Sequence, residues 1–223
     1  MPVKPKAAAA ASEPPLTPPR SRREEYTDST RGALLDAARG LFVSTGYHQT
    51  STEAVVTAAR VTKGALYHHF ADKAALLEAL VVQLQQQAAA RMNARAVKEK
   101  TLWLRLRAAC ESYLDICTEH DYQQLVIRDA PAALGVERAG AIGEQYVIGP
   151  MVRVMEKLKA DGELDVGDAR LAGRMIARML CEAAELLAQE PQPARMRKEA
   201  LSNLSRVLEA FRPPAAAASG RKA

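Results

Sequence analysis

The chain has 223 residues and a mass of 24.2 kDa, enough to bury a core as one or two domains. Aromatics at 4% and abundant alanine favour helices over a β-rich core, and a net charge of +5 suits a nucleic-acid partner without establishing one. No run of about 18 apolar residues is present to span a membrane, the N-terminus shows no apolar leader, and Cys110, Cys117 and Cys181 fit a reducing compartment, so a cytoplasmic location is expected.

In chain order, residues 1–25 are rich in Ala and Pro and carry Lys4, Lys6, Arg20, Arg22 and Arg23. Such a segment cannot bury enough surface to fold and is expected to be a disordered basic arm. It is either a solubilising tail or a phosphate-contacting extension of the domain behind it. From Ser29 to Thr45, Leu34, Leu35, Ala38, Leu41 and Phe42 recur with helical period, and Gly46 closes the helix.

Two short helices follow. The first, roughly Thr52 to Ala59, is expected to start at a capping box between Thr50 and Glu53 and to turn Ala54, Val55 and Ala58 inward. The second, roughly Lys63 to Phe70, is capped by Thr62 and places Leu66 and Phe70 on its inner side. A short helix, a tight turn and a second short helix with polar and basic residues outward is a helix-turn-helix arrangement. Residues 26–72 would then form a DNA-binding domain, although helical proteins that never touch DNA contain the same kind of corner. Thr62 supplies a hydroxyl at a helix N-terminus, Lys63 can reach a phosphate or a guanine edge, and Gly64 permits close backbone approach.

The string GYHQTSTEAVVTAARVTKGALYHHFADKAALL, preceded by LLDAARGLFVSTGY, resembles the N-terminal signature of the tetracycline-repressor (TetR) family of bacterial transcription regulators. The match runs from about Leu34 to Leu77. The resemblance implies that Tyr67, His68 and Lys73 touch backbone phosphates and that Thr50 or Ser51 anchors the first helix to one. One position departs: Arg60 stands in the turn where the family usually has Gly. Either the turn is remodelled there or Arg60 gains a phosphate contact.

Residues 73–212 read as a second helical domain. Lys73 to about Val97 carries Leu76, Leu77, Leu80, Val81, Leu84 and Ala88 on one face. The resemblance implies that this helix transmits ligand binding to the DNA-binding domain. Thr101 to about Glu119 is the next helix, then about Asp121 to Asp129, ended by Pro131 with Gly135. A long helix from about Val136 to Ala160 should kink at Pro150, opening space between helices, and end at Gly162. The helix from an Asp165/Asp168 cap to about Gln189 is apolar nearly all round, so part of it should meet a second subunit. The last helix spans about Ala194 to Phe211, and residues 213–223 are expected to be a disordered tail. The all-α chain is therefore expected to dimerise through these last two helices, with Leu201, Leu204 and Leu208 as a seam and Ala183 and Leu187 opposite.

The resemblance further implies a small-molecule effector in the second domain, of unknown identity. The residues suggest Trp103, Tyr113, Cys117, Tyr122, Arg128, Tyr146, Met151, Met155 and Met179 for its pocket, each of which also reads as ordinary core. Cys110 and Cys117 lie two helical turns apart, about 10 Å of rise, too far for a disulfide without breaking the helix. His48, His68, His69 and His120 have no metal-ligand spacing, and no catalytic string of the common hydrolase, nucleotide-binding or metalloprotease kinds occurs, so no metal, cofactor or enzymatic activity is expected. The expected function is a homodimeric repressor that binds a palindromic operator and is released by a small molecule. The alternative is a helical regulator that answers to a protein partner or to cysteine oxidation.

Overall fold

The computed structural model describes residues 22–214, and among these every regular element is helical. The expected basic arm and C-terminal tail lie largely outside the described residues. Helix α1 (Arg22–Thr45) starts earlier than its apolar stripe, because nothing between Arg22 and Ser29 breaks a helix; residues 22–25 are therefore helical. Its Leu34, Leu35, Ala38 and Phe42 are buried against α2 (Thr52–Ala59), α3 (Lys63–His69) and the start of α4 (Lys73–Ala96). Val55 and Val56 form the inner side of α2, while Ala54 and Ala58 are exposed. The expected face was therefore rotated by a fraction of a turn.

Helix α4 carries Leu76, Leu77, Leu80, Val81, Leu84 and Ala88 into the core as expected, and it is common to both halves of the molecule. Thr101 caps α5 (Leu102–Ile116) by accepting from the Leu104 amide at 3.2 Å. Next come α6 (His120–Tyr122), a π-helical segment over Gln123–Asp129, and α7 (Ala130–Leu134). Pro131 does not end this run; Gly135, at φ 82°, does. Then α8 (Val136–Gly143), a second π-helical segment over Glu144–Ile148, and α9 (Gly149–Ala160) form the long helix around Pro150.

Each proline follows the capping residue of a π segment, and that capping residue makes the wide-turn bond: the Ala130 amide to the Leu125 carbonyl and the Gly149 amide to that of Glu144. The wider turn shifts the bonding register by one residue where a proline would otherwise leave a carbonyl crowded and unpaired. Gly149 is needed for it: a Cβ there would lie 2.9 Å from the Glu144 carbonyl oxygen. Asp168 caps α10 (Ala169–Gln189) by accepting from the Arg170 and Leu171 amides, and α11 (Pro193–Ala210) completes the fold. Gly173 lets α10 cross α9 closely, since a Cβ would come within 2.8 Å of the Val152 Cα.

Leu187, Leu204 and Leu208 are all buried inside the single chain, and Ala183 and Leu201 are half-buried against the same core. Leu187, Leu204 and Leu208 of the expected dimer seam are thus taken up by packing between α10, α11 and α5 within the chain, while Ala183 and Leu201 keep part of their surface. The outward side of α10 instead presents Leu171, Met175, Met179 and Leu186, between 37% and 57% exposed. The period was read correctly, but which apolar stripe faced home could not be told from an all-round apolar helix.

Candidate functional site

Leu66 and Phe70 lock α3 onto the core, so Thr62, Lys63, Gly64, Tyr67 and His68 share its exposed side. The Thr62 hydroxyl accepts from the Ala65 amide at 3.2 Å and so fixes the N-terminus of α3. Lys63 Nζ donates to Glu53 Oε1 at 2.5 Å and lies 6.0 Å from the Tyr67 ring centre. This hydrogen bond holds the Glu53 carboxyl below its usual range and raises Lys63. Both groups are more than half exposed, so the pair is easily exchanged for a phosphate or a base edge. Burial, and after it the electrostatic influence of His68 and Arg31, lowers the His69 pKa and favours its neutral form.

Arg60 occupies the left-handed region at φ 56° and ψ 40°. Its amide still bonds to the Thr57 carbonyl at 3.2 Å, and Val61 bonds to Val56 at 3.1 Å. The turn keeps this backbone with Arg in place of Gly, at a cost of about 1 kcal/mol, and the side chain is exposed beside α3.

Two expected contacts have other roles. Thr50 is 3% exposed and donates to the Gly46 carbonyl at 2.8 Å. Ser51, one residue on and exposed, caps α2 by accepting from the Ala54 amide at 3.1 Å. Of the expected pair of anchors, only Ser51 faces solvent. Lys73 Nζ donates to the carbonyls of Tyr47 at 2.9 Å and Thr50 at 3.0 Å, and reaches that of His48 at 3.4 Å. Its three protons are committed to the turn between α1 and α2 rather than to a phosphate.

The helical domain holds two adjoining cavities. One, of about 370 Å³, lies between α4, α5 and α9 and is lined by Met92, Leu106, Tyr113, Tyr146, Val147 and Met151, with Asn93 and Arg105 on its rim. The other, of about 310 Å³, shares Tyr113 and Val147 with it and adds Gln85, Tyr122 and Cys181. Both π segments contribute walls. The Tyr122 hydroxyl donates to buried Gln85 Oε1 at 3.0 Å, and Gln86 Nε2 donates to the Tyr146 hydroxyl at 3.2 Å. Neighbouring residues of α4 thus hold one tyrosine from each cavity.

Of the effector-pocket candidates, Tyr113, Tyr122, Tyr146 and Met151 line these spaces. Trp103, Cys117 and Met155 are core residues off the cavity walls. Arg128 is exposed and donates to the Ala188 carbonyl, and Met179 lies on the outer side of α10. Burial pushes the Cys110 thiol up to about 12 and Cys117 further, so neither is a ready thiolate, which disfavours an oxidation switch. Sequence reasoning passed over Asn93, Arg105 and Gln85. Gln85 carried a signal, a polar residue on the apolar face of α4 beside Leu84 and Ala88.

Residues 34–80 match the family described as bacterial regulatory proteins of the tetR family, and residues 103–211 match the tetracyclin repressor-like C-terminal domain. A TetR-family transcriptional regulator from Pectobacterium atrosepticum, of solved structure, is 30% identical, with 87% of this chain and 99% of that one covered and a TM-score of 0.73. The transposon Tn10 TetC protein of Escherichia coli is 29% identical over 67% of this chain and 76% of its own length. The transcriptional regulator UidR of Escherichia coli K12 is 42% identical over 64 residues, 29% of this chain and 33% of its own.

Proposed function

The chain belongs to the TetR family of bacterial transcriptional regulators, which bind DNA, and from that membership we propose that it is a cytoplasmic, homodimeric repressor released from a palindromic operator by a small molecule. The observation that carries the reading is the outer side of α3. Lys63, Tyr67 and His68 are exposed together next to Ser51 and Arg60, on a helix fixed from behind by Leu66 and Phe70. In this reading, Lys63 leaves Glu53 for the DNA, and the groups around it bind phosphates.

Two such helices must reach successive major grooves, about 34–36 Å apart, so two subunits are needed. The side of α10 with Leu171, Met175, Met179 and Leu186 supplies apolar surface for that pairing. Release runs through α4. A molecule in the cavities presses on Tyr122 or Tyr146, their partners Gln85 and Gln86 move with α4, and Lys73 at its start holds the turn that positions α2.

The test is a gel shift of the full chain on DNA from upstream of its own gene, with excess non-specific competitor at ~150 mM salt. A retained band with a two-fold symmetric footprint is expected. Loss of the band to competitor on every upstream fragment would contradict the reading.

A further inference from the structure

Taking the larger cavity as the effector site proposed above, we infer that the effector is an amphipathic organic anion: an apolar body with one carboxylate, or a like anionic head, at the rim beside Arg105. The wall is formed by aliphatic carbons, methionine sulfurs and tyrosine rings, and among its residues there is no Asp or Glu. Its one charged residue is Arg105. A cation entering there would meet that charge with no counter-ion, and a strongly polar body would lose its water without replacement.

Among the described residues, Arg105 is, like Arg128, Arg153, Arg170, Arg178 and Arg206, an arginine of this domain without a carboxylate partner, and of these it is the one on the wall of this cavity. Arg91, Arg95, Arg107, Arg138 and Arg174 each pair with a carboxylate. Arg105 pairs with none among the described residues; its Nε donates to the Glu99 carbonyl at 3.0 Å. That bond anchors the guanidinium to the loop after α4 and leaves its two terminal nitrogens for a partner. An anionic head accepting from both would be held in a charge-assisted fork, while its apolar body displaces water from Leu106 and Met151. The volume, about 370 Å³, suits one small molecule with a single chain or ring system.

The experiment titrates the full chain by calorimetry with three probes of one shape, decanoate, decanol and decylammonium, each below its micelle concentration. Decanoate should bind at least tenfold more tightly than decanol, and decylammonium more weakly than either. Arg105→Gln should bring decanoate to the level of decanol and leave decanol unchanged, and Arg105→Lys should retain part of the preference. Arg105 is exposed, so these variants fold. Ala109→Phe, on the cavity wall, should abolish binding of all three, with folding checked by circular dichroism and Leu102→Trp as a second filling variant.

Equal binding of acid and alcohol, lost in Ala109→Phe, would overturn the anion proposal and keep the cavity as a ligand site. Binding that survives both filling variants would overturn the cavity reading as well. Tighter binding of decylammonium, or no binding of decanoate, would overturn the proposal outright.

Discussion

Lys73 places its ammonium 4.4 Å from the centre of the Tyr47 ring while donating to the Tyr47 carbonyl at 2.9 Å. One side chain at the start of α4 thereby ties down the turn between α1 and α2, which otherwise has few side chains to hold it. Lys73→Met should remove charge-assisted bonds and a ring contact together, costing about 1–3 kcal/mol of stability. Thermal melts of parent and variant check this. An unchanged melting temperature would mean that the ammonium is free for DNA.

Arg60 holds a backbone conformation that suits glycine, at φ 56°. Arg60→Gly should therefore stabilise the fold by roughly 1 kcal/mol through relief of that strain. The same change should lower the salt slope of DNA binding by about 0.9 if the guanidinium takes one phosphate. Greater stability with an unchanged slope would assign Arg60 no part in binding.

Burial lifts the Cys110 thiol from an ordinary 9.0 to about 12. The folded chain keeps a proton that the unfolded chain gives up, so this stability is fully present below pH 9 and is lost as pH rises toward 12. Each such group should steepen the fall by up to about 1.4 kcal/mol per pH unit. Tyr113 and Tyr122, also raised chiefly by burial, act in the same direction. Urea midpoints should drop as pH rises above 9, less so in Cys110→Ala, and a flat profile above pH 9 would contradict the burial.

Pairing through α10 separates two substitutions. Met175→Glu, on the exposed stripe, should give a folded monomer with weak operator affinity, whereas Leu204→Glu, 3% exposed in the chain's own core, should unfold it at a cost of several kcal/mol. Sedimentation and circular dichroism distinguish the outcomes. A Met175→Glu dimer with parental operator affinity would place the interface on another surface.

The helix-turn-helix was legible because short-range rules write it. Thr62 caps α3 as read, and Leu66 and Phe70 lie inside as their spacing required. The cap of α2 was off by one residue, because Thr50 and Ser51 carry the same chemistry and only packing decides that Thr50 turns inward. Pro131 looked like a stop and was absorbed by a π turn, which depends on hydrogen-bond register and has no sequence signature of its own. The seam at Leu204 failed for a related reason: α11 packs its leucines inward, and only the tertiary contacts show that they are spent. Arg105 went unnoticed because a lone exposed arginine carries no signal until its lack of a carboxylate beside a cavity is seen.

The most direct test of the DNA-reading role of α3 is operator affinity of Lys63→Ala and Tyr67→Phe, measured by fluorescence anisotropy at ~150 mM salt beside thermal melts of both variants. Each side chain is exposed and anchors nothing in the core. Each variant should therefore lose roughly 5- to 100-fold in operator affinity with the melting temperature unchanged. Parental affinity in both variants would contradict the docking of α3 on DNA.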